Sequence, residues 1–365
     1  MQYLLISAVA LLSLANGAND NFKGVATLWG SGVTSYRRAL AWATAFTFLG
    51  SITAALIGGS LAAKFNGSTL VAKDIYTRLP FDCAIVLAAA GTVLLASRLG
   101  LPVSTTHALV GSLIGAGVTA SGIANVHFAA LGSSVILPLF LSPVAALLLT
   151  ILLHPLVRRL TNGQDCICID ERVRLTATLP GITSGAALAD ATSALEFRLA
   201  DPAECQTGAE VVRFRVSEAV HWLSGAAISF GRALNDTPKI VAVLSVVETT
   251  TSTRNAVLVA AVMAVGGLLG AARVAQTMGR KITPMATPEA VTANLVAASL
   301  TLLASHLALP VSTTHVTTGG IFGISLLRLR EADWRRVRDI VFSWLLTLPM
   351  GAALAGALYW LLARH

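Results

Sequence analysis

The chain has 365 residues, of which 55% are hydrophobic and 12% charged, with a formal net charge of +8. A mean hydropathy of +0.74 excludes an ordinary soluble domain, because so few charged side chains cannot cover so much apolar chain. The positive surplus does not point to nucleic acid, since the basic residues fall mostly in short loops between apolar runs, where they orient membrane helices.

Taken in chain order, residues 1–18 resemble a secretory signal in length and apolarity. They lack a basic leading segment, and an equivalent segment at 221–234 recurs inside the chain, so a retained helix is expected. The first half reads as a broken span over 2–33, interrupted at 16–21, then spans at 40–62, 83–97, 103–118 and 128–153. The second half repeats the order, with 220–247 broken at 232–236, then 256–274, 290–304, 311–326 and 340–362. The expected class is an all-α integral membrane protein with about ten crossings, since no alternating pattern of a membrane barrel is present.

Five crossings per half would insert the second half upside down relative to the first, giving two inverted-topology repeats with broken helices. The expected division is an N-terminal transmembrane repeat at 1–157, a linker at 158–217 and a C-terminal repeat at 218–365. Arg37, Arg38, Arg98, Arg158, Arg159 and Arg280 then share a side that Lys64, Lys73 and Arg78 do not. The positive-inside rule puts both termini outside the cytoplasmic membrane and the linker in the cytoplasm. Within the linker, mixed charge and weak periodicity leave a small amphipathic helical domain and a loop equally open. Cys166, Cys168 and Cys205 are expected as reduced thiols there, because no fourth ligand at zinc spacing accompanies them; Cys83 is expected to pack at a helix start.

The most specific signal is a duplication. Pro102-Val103-Ser104-Thr105-Thr106-His107 recurs as Pro310-Val311-Ser312-Thr313-Thr314-His315, and upstream of each copy stands Asn-Asp-x-x-Lys, as Asn19, Asp20 and Lys23 and as Asn235, Asp236 and Lys239. An aspartate within an apolar segment costs roughly 2.5 to 3.5 kcal/mol on insertion scales, so Asp20 and Asp236 call for a functional partner more than for simple capping. Breaks beside them would free carbonyl oxygens for a small cation. Proline at a helix start leaves first-turn amides without intrahelical partners, and the adjacent hydroxyls complete an oxyanion cradle. Two such cradles, Ser104, Thr105 and Thr106 with Ser312, Thr313 and Thr314, would converge on one tetrahedral anion.

These paired signatures resemble those of the inorganic phosphate transporter family, as does the segment Thr277-Met278-Gly279-Arg280-Lys281-Ile282-Thr283. The resemblance covers both halves and leaves out the linker. It implies a symporter, not an enzyme, that imports inorganic phosphate with protons or sodium ions. Asn19, Asp20, Asn235 and Asp236 would serve the coupling ion, and the Ser-Thr-Thr runs, with the two aspartates, would surround phosphate. No cofactor is implied, and no metal beyond sodium as a co-substrate. The partners expected are phosphate, the coupling ion and the lipid bilayer, with a homodimer allowed but not specified, and no nucleic acid.

The chain departs from the family pattern at Arg232-Ala233-Leu234-Asn235-Asp236 and at Lys23. Lys23 and Lys239 stand three residues after their aspartates on one helical face. Each could replace a sodium ion, attract phosphate or form a structural salt bridge. Sulfate would fit the same donors, but monoprotonated phosphate can donate to an aspartate and sulfate cannot. A hydrolase built on Ser104 or Ser312 with His107 or His315 is disfavoured, because a Ser-His spacing of three does not establish nucleophile–base geometry. The histidines are expected to hydrogen-bond in the bundle, with a proton-linked role left open.

Overall fold

The computed structural model describes residues 1–57, 68, 70–132, 137–161, 165–175, 191–200, 210–246, 253–307, 309 and 311–364. Pro310 and Cys205 of the sequence reading lie outside them. The first half contains α1 (Gln2–Asp20), α2 (Ala26–Gly30), α3 (Tyr36–Ile57), α4 (Leu79–Leu99), α5 (Thr105–Ser121) and α6 (Leu137–Thr161). The second contains α7 (Val216–Val241), α8 (Thr253–Gly270), α9 (Ala272–Gln276), α10 (Thr287–His306), α11 (Thr313–Leu327) and α12 (Trp334–Leu362).

Packing is reciprocal between the halves. Helix α1 packs on α8 and α4, and α7 packs on α3 and α10. The contacts of α5 with α12 are likewise matched by those of α11 with α6. Each half therefore supplies the other with a wall of its central helix, and neither buries its polar interior alone. Small residues permit the approach, as expected for helices that pack in an apolar solvent. A Cβ at Gly17 would lie 1.9 Å from the carbonyl oxygen of Met263 on α8, and one at Gly115 would lie 1.9 Å from that of Ala352 on α12.

Among the described residues, four helices are long and apolar enough to cross a membrane: α3, α4, α6 and α12. Helix α8 and the segment 272–281 form a pair bent by 61° at Ala271, a fifth span if the pair is counted as one, where a single span over 256–274 was expected. Helices α5 and α11 are shorter, at 17 and 15 residues, while α1 and α7 carry polar stripes through their buried faces. On α6, Leu141, Leu148, Leu152 and Leu156 stand exposed, a face suited to lipid and not to water.

The expected breaks are displaced. Helix α1 runs without interruption through Asn16, Asn19 and Asp20; the turn falls at Asn21 and Phe22, before a 3-10 turn at Lys23–Val25. Helix α7 likewise continues through Arg232–Asp236 and past Pro238, then tightens into a 3-10 turn at Ala242–Val246. Asn and Asp are weak helix formers when they compete for the backbone. Here their side chains bond to one another and to other helices instead. The span expected over 128–153 is instead a short helix at Phe128–Leu131 and then α6, which extends to Thr161.

The linker also departs from both readings. It forms a three-stranded antiparallel sheet in the order β2-β1-β3, from β1 (Cys166–Leu175), β2 (Ala191–Ala200) and β3 (Glu210–Arg215). Cys166 pairs with Ala200 on one side and Arg215 on the other. Ile167, Ile169 and Val173, with Val211, Val212 and Phe214, supply the β-branched and aromatic content of extended chain. Cys166 is a free thiol as expected, whereas Cys168 is disulfide-bonded. Cys83 is a buried free thiol near the start of α4.

The Gly17 contact generates a paired stability test. Gly17→Ala is expected to lower thermal stability in detergent by about 1 to 3 kcal/mol, the usual range for overpacking. Gly91→Ala, where an added Cβ meets nothing within 4 Å, is the neutral comparison. Equal melting of the two variants would show that the α1–α8 contact tolerates separation.

Candidate functional site

Four side chains at spacing i, i+3, i+4 and i+7 form one stripe on α1: Asn16, Asn19, Asp20 and Lys23, the last one turn beyond the helix end. The matching stripe on α7 is Arg232, Asn235, Asp236 and Lys239. All eight are buried, Lys23 at 2% exposure and Arg232 and Lys239 at 1%. The stripes face the starts of α5 and α11, where residues 102–107 and 311–315 lie.

Both lysines sit in closely similar surroundings. Lys23 Nζ donates to Asn19 Oδ1 at 2.7 Å, to the Val103 carbonyl at 2.8 Å and to Thr314 Oγ1 at 2.6 Å, and forms a short ion pair with Asp20. Lys239 Nζ donates to Asn235 Oδ1, to the Val311 carbonyl at 3.3 Å and to Thr106 Oγ1 at 2.8 Å, with Asp236 Oδ1 at 3.3 Å. Each lysine thus reaches a threonine of the opposite half. The Thr314 hydroxyl also donates back to the Val103 carbonyl at 2.9 Å, which ties the start of α11 to the turn before α5.

The carboxylates are linked through Asn16, whose Nδ2 donates to Asp20 Oδ2 at 2.7 Å and to Asp236 Oδ2 at 3.3 Å. Thr105 Oγ1 donates to Asp20 Oδ2 at 2.9 Å. Arg232 occupies on α7 the place Asn16 holds on α1, four residues before the aspartate. Its guanidinium donates to Asn16 Oδ1 and Thr47 Oγ1, both at 2.9 Å, and lies 3.7 Å from Asp236 Oδ2. The cluster holds three cationic side chains against two carboxylates, a surplus of one positive charge in a buried place. Burial makes that surplus count, because few water dipoles are present to screen it. Arg232 Nε has no acceptor among the described residues, so the site retains donor capacity.

The sequence reading named Asn19, Asp20, Asn235, Asp236, Lys23 and Lys239 together with Thr105, Thr106 and Thr314, and the structure gathers them at one place. Thr313 is buried at the position matching Thr105. Ser104 and Ser312 sit differently. Each hydroxyl oxygen accepts from a backbone N–H, that of His107 or His315, at 3.2 Å, which makes the serines N-caps of α5 and α11. Their O–H groups stay available as donors. Among the described residues no hydrogen bond joins either serine hydroxyl to a histidine ring. The His107 and His315 rings instead contact each other edge to face with centroids 4.4 Å apart, and His315 lies 4.1 Å from the Trp344 ring.

Arg232 and Asn16 are the functional candidates that sequence reasoning missed. The signal was present in the spacing, because both stand four residues before an aspartate already singled out, one helical turn away. Thr47 and Asn21, which hold the far side of the guanidinium, carried no motif.

A buried polar centre shared by two reciprocally packed helical halves, within an apolar belt, defines a multi-pass membrane transporter. Residues 16–355 match the phosphate transporter family, and the chain belongs to that family. It is 28% identical to the chloroplastic inorganic phosphate transporter 2-1 of Arabidopsis thaliana, over 95% of this chain and 70% of that protein. It is 26% identical to a protein described as a phosphate permease in Pyrococcus abyssi, over 98% of this chain and 97% of that one. A solved structure named as the sodium-dependent phosphate transporter superposes with a TM-score of 0.70 at 20% identity, covering 100% of this chain and 99% of the other, and so shares its fold.

The capping geometry sets an expectation for the serines. Ser104→Ala and Ser312→Ala should each cost about 0.5 to 2 kcal/mol of stability, and replacement by Gly only a few tenths. Melting of the purified variants in detergent checks this. Unchanged melting with lost anion binding would give the serines a ligand role in place of the cap.

Proposed function

We propose that the chain imports inorganic phosphate by ion-coupled symport, binding one phosphate between the two lysine–aspartate clusters. The observation that carries the reading is the reciprocal pair of contacts, Lys23 to Thr314 and Lys239 to Thr106, which puts cationic and hydroxyl donors from both halves at one buried point. A tetrahedral anion entering there would take over the hydroxyls and ammonium protons that now satisfy each other. The charge surplus of one suits a monoanion, and charge-assisted bonds to phosphate oxygens are the strong class of hydrogen bond. Asp20 and Asp236 add discrimination. A phosphate that still carries protons can donate to a carboxylate, whereas an aprotic sulfate dianion would meet it as a like charge.

The halves 1–157 and 218–365 are proposed as inverted-topology repeats of five crossings each, rocking about the shared site so that phosphate is exposed to one side at a time. Support comes from the reciprocal packing and from the five helices of 15 residues or more that each half contributes among the described residues. Both termini are placed outside the cytoplasmic membrane and the linker inside, on the distribution of arginines.

Labelled phosphate uptake into proteoliposomes tests the reading. Asp20→Asn and Asp236→Asn should abolish concentrative uptake. Because removing one member of a buried ion pair costs roughly 3 to 5 kcal/mol, each variant's folding must be verified by size and melting. Thr106→Val and Thr314→Val are milder, and each should weaken phosphate binding by about 1.5 to 3 kcal/mol if the hydroxyl contacts the anion. Normal uptake by folded aspartate variants would remove the site from transport.

A further inference from the structure

We infer that Lys23 and Lys239 are tethered cations standing where a transported sodium ion would otherwise be held, so that phosphate binding and uptake by this chain need no sodium. The inference rests on the phosphate reading above and specifies its coupling ion. Its basis is the chemistry around each ammonium. Lys23 Nζ is ringed by a carboxamide oxygen of Asn19, a carboxylate oxygen of Asp20, the backbone carbonyl of Val103 and the hydroxyl of Thr314. Lys239 Nζ meets the same four oxygen types, from Asn235, Asp236, Val311 and Thr106. Carboxylate, amide carbonyl, backbone carbonyl and hydroxyl oxygens are what a hard cation recruits in place of water.

The two sets are also alike in provenance. In each, the carboxylate and the amide come from the central helix of one half, the carbonyl from the turn before that half's hydroxyl-bearing helix, and the hydroxyl from the other half. Such a set would suit an ion whose arrival clamps the halves together. An ammonium already fills it, carried three residues after the carboxylate, on the same helix for Lys239 and in the 3-10 turn that follows α1 for Lys23. A second cation at hydrogen-bond distance from a buried ammonium would be strongly repelled, since little solvent lies between them. The residues present therefore fit a covalently attached charge and do not fit sodium.

Tethering changes what the site requires. A mobile cation must bind before it can neutralise the aspartates, and phosphate affinity then depends on its concentration. A lysine is always present, and Arg232 adds a further positive charge beside Asp236. Phosphate retention is thereby uncoupled from sodium, which leaves the proton gradient as the driving force for uptake.

The test is equilibrium binding and uptake of labelled phosphate by the purified full-length protein, in sodium chloride and in choline chloride, at matched pH and ionic strength. Affinity should agree within about twofold between the two salts, whereas a true co-substrate shifts its partner's affinity by roughly fivefold or more. Uptake under an imposed proton gradient should persist in choline. Lys23→Ala and Lys239→Ala open the cages, and each folded variant should acquire sodium-dependent phosphate binding and retain labelled sodium that the unmutated protein does not. Strict sodium dependence of the unmutated protein would overturn the inference without recourse to any variant. So would variants whose phosphate affinity is the same in both salts. Failure to bind phosphate in either salt would count against the transport reading itself, and is distinguishable because sodium dependence cannot then appear.

Discussion

Burying two lysines beside two aspartates is the constraint on which the rest of the structure depends. An ionised side chain in an apolar interior is tolerated when it is paired and its remaining donors are met. Here neither half can meet them alone, because Lys23 needs the Thr314 hydroxyl and Lys239 needs that of Thr106. The polar stripes therefore force the halves together. The same requirement explains the continuity of α1 and α7 through their asparagines, whose side chains bond to other side chains and to the Leu101 and Leu309 carbonyls and do not compete for the backbone of their own helices.

Close approach follows from that demand. The stripes converge only if α1 and α7 can lean on helices of the opposite half, and glycines at the contacts permit it without displacing backbone. The starts of α5 and α11 meet at the same point through the paired imidazoles and the bond from Thr314 to the Val103 carbonyl. A site assembled in this way is sensitive to relative movement of the halves, which is what a carrier with alternating access requires. Arg232 breaks the pairing of equivalent positions, so the centre is not neutral and is not symmetric in charge.

Much of this was legible in the residues. The duplicated Asn-Asp-x-x-Lys and Pro-Val-Ser-Thr-Thr-His segments marked the elements that form the centre, because their polar character stands out against an apolar background and their recurrence implies pairing. Less legible was where the helices break. Asn16, Asn19 and Asn235 suggested interruption by propensity, whereas tertiary hydrogen bonds hold them in helix, and the chain turns only after Asp20 in one half and after Val241 in the other. Arg232 read as a departure from a motif, since its role depends on Asn16 and Thr47, partners far off in sequence. The linker's sheet was hidden by charges scattered through its strands, and the serine caps by hydroxyls equally suited to an anion.

The central claim is that one anion site is shared by both halves. Its most direct test is the stoichiometry of labelled phosphate bound to the purified protein, compared with that of Thr106→Val and of Thr314→Val. The account predicts one phosphate per chain, with affinity reduced by either substitution alone. Two phosphates per chain, or affinity that responds to one half and not the other, would contradict it.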